Sequence, residues 1–210
     1  MPNYIEENKR PESVKGSGEK RRVLLIGDSI REGYCNTVKD ELSDIADVRF
    51  PGENCRFTQY TYVSLGGWRW LFEDPERVDV VLWNNGHWDV AHWDRNAESL
   101  NTPKVYAEMT GRIAKRLSEY FPKAKLIFAT TTPMNPNGSQ GVNLRTNEEI
   151  AVYNKAARDI LGNDVMIADL NAFCASFGSE MYADYCHLTA DGFRKLGIHV
   201  AGIIREQLLA

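Results

Sequence analysis

The sequence predicts an α/β protein built as a three-layer α/β/α sandwich around a five-stranded parallel sheet. Short β-branched apolar runs recur along the chain, and stretches with apolar residues at helical spacing separate them. Several of those stretches also carry readable helix caps. Strands alternating with helices imply a parallel sheet covered on both faces.

The first run, Arg22–Ile26 (RVLLI), reads as a buried strand, and the helix after it begins near Glu32 with Val38, Leu42 and Ile45 as its apolar stripe. Asp47–Phe50 is a short second strand stopped by Pro51-Gly52, with room for a helix from about Thr58. Val78–Trp83 is the third strand. Thr102 before Pro103 makes an N-cap with proline at the first helical position, followed by Val105, Met109, Ile113 and Leu117 up to Phe121-Pro122. Lys125–Thr130 is the fourth strand. Thr146 with Glu149 three residues on is a capping-box pattern, opening a helix to about Leu161 that Gly162 ends. Asp164–Ala168 is the fifth strand. A last helix spans about Ala190 to Leu209, with Leu196, Val200, Ile203, Ile204 and Leu208 inward. Residues 1–20 are polar and read as a flexible arm, leaving 21–210 as one domain.

Composition narrows the function classes. The chain has 210 residues, 43% apolar and 26% charged, which suits one ordinary globular domain with a substantial core. A net charge of −4 with scattered basic residues gives no reason to expect nucleic acid or an anionic membrane as partner. No stretch approaches the ~20 apolar residues of a membrane span. The first 20 residues lack the apolar segment of a signal peptide, so the expected location is cytoplasmic; a trimmed signal peptide would make it secreted or periplasmic. Cys35, Cys55, Cys174 and Cys186 are widely spaced with no C-x-x-C pair, which favours free thiols over a zinc ribbon or a disulfide scaffold.

The chemistry-bearing residues fall at or after strand ends, where ligands bind in such sheets. Gly27-Asp28-Ser29-Ile30 follows the first strand, and Asp184-Tyr185-Cys186-His187 precedes the last helix. Serine is a poor nucleophile until a base takes its proton, and the base needs a partner to fix its tautomer. Ser29, His187 and Asp184 have the types for those roles. Taken alone, each motif also reads as a tight turn with a helix cap.

Together they resemble the SGNH (GDSL-type) hydrolase superfamily of esterases and lipases. The match is Gly27-Asp28-Ser29-Ile30 with Asp184-Tyr185-Cys186-His187-Leu188-Thr189 and Ala190-Asp191-Gly192-Phe193, in the order Ser…Asp…His, and covers roughly Arg21 to Ala210. The resemblance implies a flavodoxin-like sandwich and ester hydrolysis through an acyl-enzyme, with Ser29, His187 and Asp184 catalytic. It requires no metal or organic cofactor. The superfamily's G-x-N-D pattern has an asparagine that donates to the oxyanion. Here Gly86-His87-Trp88-Asp89 puts Trp88 in that place, so Asn85, or Asn84 beside it, is the expected donor. The second donor is expected in Pro51–Arg56, with Asn54 the side chain to watch. Gly66-Gly67 lies only 11 residues before Val78, too near for a full crossover helix between them.

His87-Trp88-Asp89 and His92-Trp93-Asp94 repeat a triplet five residues apart, a spacing that does not align the two histidines on one helix as metal ligands. Trp88 and Trp93, with His87, are instead expected to line a substrate pocket, to which Trp68 and Trp70 could add. The expected substrate is a small-molecule or oligosaccharide ester, with a carbohydrate acetyl ester favoured. The same triad would serve an acyltransferase, a lysophospholipase or a thioesterase. From another class, the chain could be a non-catalytic carbohydrate-binding module on the same fold.

Overall fold

The computed structural model describes residues 19–138 and 141–210. Nearly all of the polar arm expected over residues 1–20 lies outside the described residues. The element order is β1 (Arg21–Ile26), α1 (Ser29–Glu41), β2 (Ala46–Arg49), α2 (Thr58–Trp68), β3 (Val80–Trp83), α3 (Pro103–Tyr120), β4 (Lys125–Ala129), α4 (Asn147–Leu161), β5 (Met166–Ala168), α5 (Leu170–Cys174) and α6 (Ala190–Leu209). All strand pairs are parallel, in the order β2-β1-β3-β4-β5. This is the doubly wound sandwich expected from the alternation of patterns.

The strands are apolar on both faces because helices cover both. Val23 and Leu25 of β1 pack with Tyr34 and Val38 of α1 and with Leu196, Val200 and Ile204 of α6. Leu24 and Ile26 point the other way, into a core with Leu65 of α2, Ile113 and Leu117 of α3, and Ile150 and Tyr153 of α4. Leu196, Val200 and Ile204 are fully buried, and each contributes up to about 1.5–3 kcal/mol of hydrophobic stabilisation. The four cysteines are buried free thiols. No helix among the described residues is long and apolar enough to cross a membrane.

The helix ends follow their sequence signals. Thr102 accepts from Val105 N–H ahead of Pro103, and the Thr146–Glu149 capping box is complete. One boundary differs in a way that matters. Helix α1 starts at Ser29 rather than near Glu32, because the Asp28 side chain accepts from Ile30 N–H and caps it there. It also ends at Glu41, so Ile45 sits beyond the helix, half-buried against the same core. The short helix α5 has no counterpart in the sequence expectation.

The strand order reverses between β1 and β3, so the segments leaving these two strands diverge and leave a crevice at their carboxyl ends. Gly27-Asp28-Ser29 leaves β1 and Asn84–Asp89 leaves β3 at this point.

Candidate active site

Gly27 makes the turn out of β1 because nothing larger fits. A Cβ there would collide with the Asn84 side chain leaving β3. Asp28 caps α1, and Ser29 is its first residue, so the serine N–H has no partner one turn back within the helix. Asp28 is fully buried. Burial pushes its carboxyl up, opposed by the Asn84 amide, the Ile30 N–H and the Arg31 guanidinium.

The second half of the site is a tight loop leading into α6. Tyr182 and Leu188 bridge antiparallel, Ala183 N–H donates to His187 O, and Thr189 caps the helix. Asp184 Oδ1 accepts the backbone N–H groups of Cys186 (2.8 Å) and His187 (2.7 Å), which fixes the carboxylate against its own loop. Its other oxygen lies 2.6 Å from His187 Nδ1. His187 Nε2 is 2.7 Å from Ser29 Oγ. A carboxylate can only accept, so Nδ1 carries the proton and Nε2 presents its lone pair to the serine hydroxyl. Burial pushes the Asp184 carboxyl up, but the two N–H bonds and the imidazole outweigh it and hold the group below its usual range. Ser29, His187 and Asp184, 158 and 3 residues apart in sequence, thus form one hydrogen-bonded chain.

Asp184, Cys186 and His187 also bring ligand-type atoms within 4.8 Å of one another. His187 and Asp184 already bond each other, and burial pushes the Cys186 thiol up to about 12, which keeps it protonated.

The expected oxyanion donors are placed differently. Asn85 is buried, and its amide donates to Arg56 O (3.0 Å) and Thr61 Oγ1 (2.9 Å). Both protons of that amide are committed to α2 and the loop before it, so Asn85 has none for an oxyanion. Asn54 donates to Glu32 Oε2 (3.0 Å) and accepts from Arg56 N–H (2.8 Å). It shapes the turn in which Arg56 takes a left-handed backbone, φ +53°. Gly66-Gly67 lies in the last turn of α2.

His87 does not line an open pocket. It is buried, with Nε2 3.0 Å from Thr132 Oγ1. Burial, followed by Arg145 and His187, drives its pKa well below the usual range and keeps the ring neutral. Gly86 ahead of it has φ +141°, and a Cβ there would collide with the Thr131 side chain. Trp88 and Trp93 are half-buried, with rings 4.9 Å apart, and Phe57 extends the group at 6.5 Å from Trp88. Trp93 Nε1 donates to Trp88 O. Trp68 belongs to the core, and Trp70 is exposed beyond the end of α2.

Two further groups hold the crevice together. Arg31 is buried and donates to Gly27 O (3.2 Å), Pro51 O (3.1 Å) and Glu53 O (2.5 Å), which ties the loop after β2 to the serine turn. Cys55 N–H adds a bond to Gly27 O. With α1 starting at Ser29, Arg31 falls in its first turn, where a cation opposes the helix dipole and is held by these carbonyls instead. Asp89 accepts from Thr58 and Asn101 and joins the turn after β3 to α2.

This architecture, with its serine turn at the switch point, is the SGNH (GDSL-type) hydrolase fold. Among solved structures the chain is similar to a lipase/acylhydrolase from Enterococcus faecalis, at 21% identity and TM-score 0.69 over 89% of this chain and 96% of that one. It is similar to a carbohydrate acetylesterase from Sinorhizobium meliloti, at 16% identity and TM-score 0.67 over 89% and 99%. A member of the lipolytic G-D-S-L family from Veillonella parvula matches at 14% identity and TM-score 0.65 over 88% and 98%. At these identities the likeness is one of fold. No family model and no curated protein matches the sequence.

Proposed function

We propose that the chain is a serine esterase that cleaves a carboxylic ester through an acyl-enzyme. The observation that carries this reading is the 2.7 Å contact of Ser29 Oγ with His187 Nε2, backed by Asp184 on Nδ1. His187 takes the hydroxyl proton as Ser29 attacks the ester carbonyl, and Asp184 stabilises the imidazolium that forms. The Ser29 N–H, at the positive end of α1, receives the developing oxyanion. Collapse of the tetrahedral intermediate expels the alcohol, which takes its proton from His187. Water, deprotonated by the same imidazole, then releases the acid and restores Ser29.

For the substrate we infer a small acyl group on a carbohydrate. Two half-buried indoles in the segment leaving β3 suit the flat face of a sugar ring, and the similar Sinorhizobium meliloti protein is a carbohydrate acetylesterase. Acetate release from acetylated xylo-oligosaccharides tests this. The wild-type protein is expected to release acetate and the Ser29→Ala variant none. Good hydrolysis of long-chain esters with no acetate release would overturn the carbohydrate reading.

A further inference from the structure

Residues 92–95, which carry Trp93, form a hook with an unusual backbone. Asp94 (φ +52°) and Arg95 (φ +59°) are consecutive non-glycine residues in the left-handed region, a conformation that persists only where its surroundings impose it. The facing segment does so: His92 N–H donates to Leu144 O (2.8 Å), Asp94 N–H to Asn143 Oδ1 (3.2 Å) and Arg95 N–H to Val142 O (2.9 Å). The hook ends in a clasp. His92 Nδ1 lies 3.0 Å from Asn96 O, and Nε2 lies 2.8 Å from Glu149 Oε1. A carbonyl and a carboxylate can only accept, so both ring nitrogens must donate. Only the imidazolium can do that.

Glu149 is itself fixed, because its second oxygen accepts from Thr146 N–H and Oγ1 in the capping box of α4. It is the charged group of α4 that bonds the His92 ring. Asp94 and Arg95 lie on the hook itself, and Arg145 follows Leu144 on the facing segment but turns towards Cys186 and Tyr185.

We propose that His92 is a positioning residue whose imidazolium clasps the hook to the first turn of α4 and so holds Trp93 against Trp88, making carbohydrate-ester binding weaken as the solution turns alkaline. This rests on the reading of Trp88 and Trp93 as a sugar platform. The Glu149 hydrogen bond raises the His92 pKa against the effect of burial. The clasp is therefore complete below the ordinary histidine pKa and is lost as pH rises through the higher folded value.

The test begins with a mutation-free measurement, an NMR titration of the His92 ring and the Trp93 indole N–H in the intact protein. Both signals are expected to move with one midpoint above the ordinary histidine value of about 6.5. A His92 midpoint at or below that value, or a Trp93 signal that ignores it, overturns the proposal whether or not the chain is an esterase. The second measurement is the KM for acetylated xylo-oligosaccharide on either side of that midpoint. It is expected to rise about tenfold in the wild type, roughly the loss of one charge-assisted hydrogen bond. In His92→Gln and Glu149→Gln it should be flat and high, with p-nitrophenyl acetate turnover within about twofold of wild type. A KM that stays level in the wild type while Trp93→Ala raises it overturns the clasp and leaves the platform standing. A KM unmoved by Trp93→Ala overturns both.

Discussion

Thr58 gives its backbone N–H (3.2 Å) and its hydroxyl (2.7 Å) to the same oxygen of Asp89, and Asn101 adds a third donor at 2.6 Å. Phe57, at the N-cap of α2, has no side chain able to cap the helix. Asp89 supplies the cap instead, from the turn after β3, and so couples that turn to the start of α2. Its other oxygen is buried without a partner, and burial pushes the carboxyl up to about 6 from 3.8.

That shift has a definite sign. The folded protein holds the Asp89 proton more tightly than the unfolded chain, so this group's contribution to stability falls as pH rises from about 4 to about 6. The difference approaches about 3 kcal/mol. Asp89→Asn keeps an acceptor for Thr58 and Asn101 and removes the titration. Urea unfolding at about pH 4 and about pH 7 should show the variant gaining on the wild type by that order at the higher pH.

Asn85 sits where an oxyanion donor was expected, yet its amide holds Arg56 O and Thr61 Oγ1. Asn85→Ala is therefore expected to lower stability by about 1–3 kcal/mol, the cost of leaving buried groups unpaired. The acylation rate of the folded variant should stay within a few-fold of wild type. Loss of an oxyanion donor would instead cost about 100-fold or more. Stopped-flow acylation beside a denaturant melt separates the two.

Arg31 is a buried cation that donates to three backbone carbonyls and to the Cys55 sulfur. Arg31→Met leaves Gly27, Pro51 and Glu53 carbonyls without that donor. A loss of about 3–5 kcal/mol is expected, as for a broken buried charged network, and is read from the shift in urea midpoint. Arg31→Lys should recover only part of it, because a single ammonium lacks the planar fork that reaches both segments.

Much of this was legible in the sequence, for physical reasons. The five apolar runs and the Thr102 and Thr146 caps are local patterns, and the sheet order then sends Ser29 and His187 to one edge. Ser29, His187 and Asp184 could be paired because their chemical roles are specific to residue type. The asparagines could not be resolved that way. An amide near a glycine turn suits an oxyanion hole or a structural bond equally well. What decides is whether Thr61 and Arg56, from another element, take its protons. His87 is the same case: its burial against Thr132 depends on the packing of β4's exit, which no local pattern encodes. The start of α1 falls three residues earlier than its apolar stripe suggests, because Asp28 and Ser29 both suit a helix cap and only the bond from Ile30 N–H to Asp28 decides between them.

The central claim is that Ser29, activated by His187, is the nucleophile. Labelling with a fluorophosphonate and peptide mass spectrometry tests it most directly. Wild-type protein should carry the adduct on Ser29, and Ser29→Ala should carry none. Asp184→Asn, which frees the imidazole to take the wrong tautomer, should label about 10³–10⁴-fold more slowly. Folded wild-type protein that remains unlabelled, or that carries the adduct on another residue, would contradict the account.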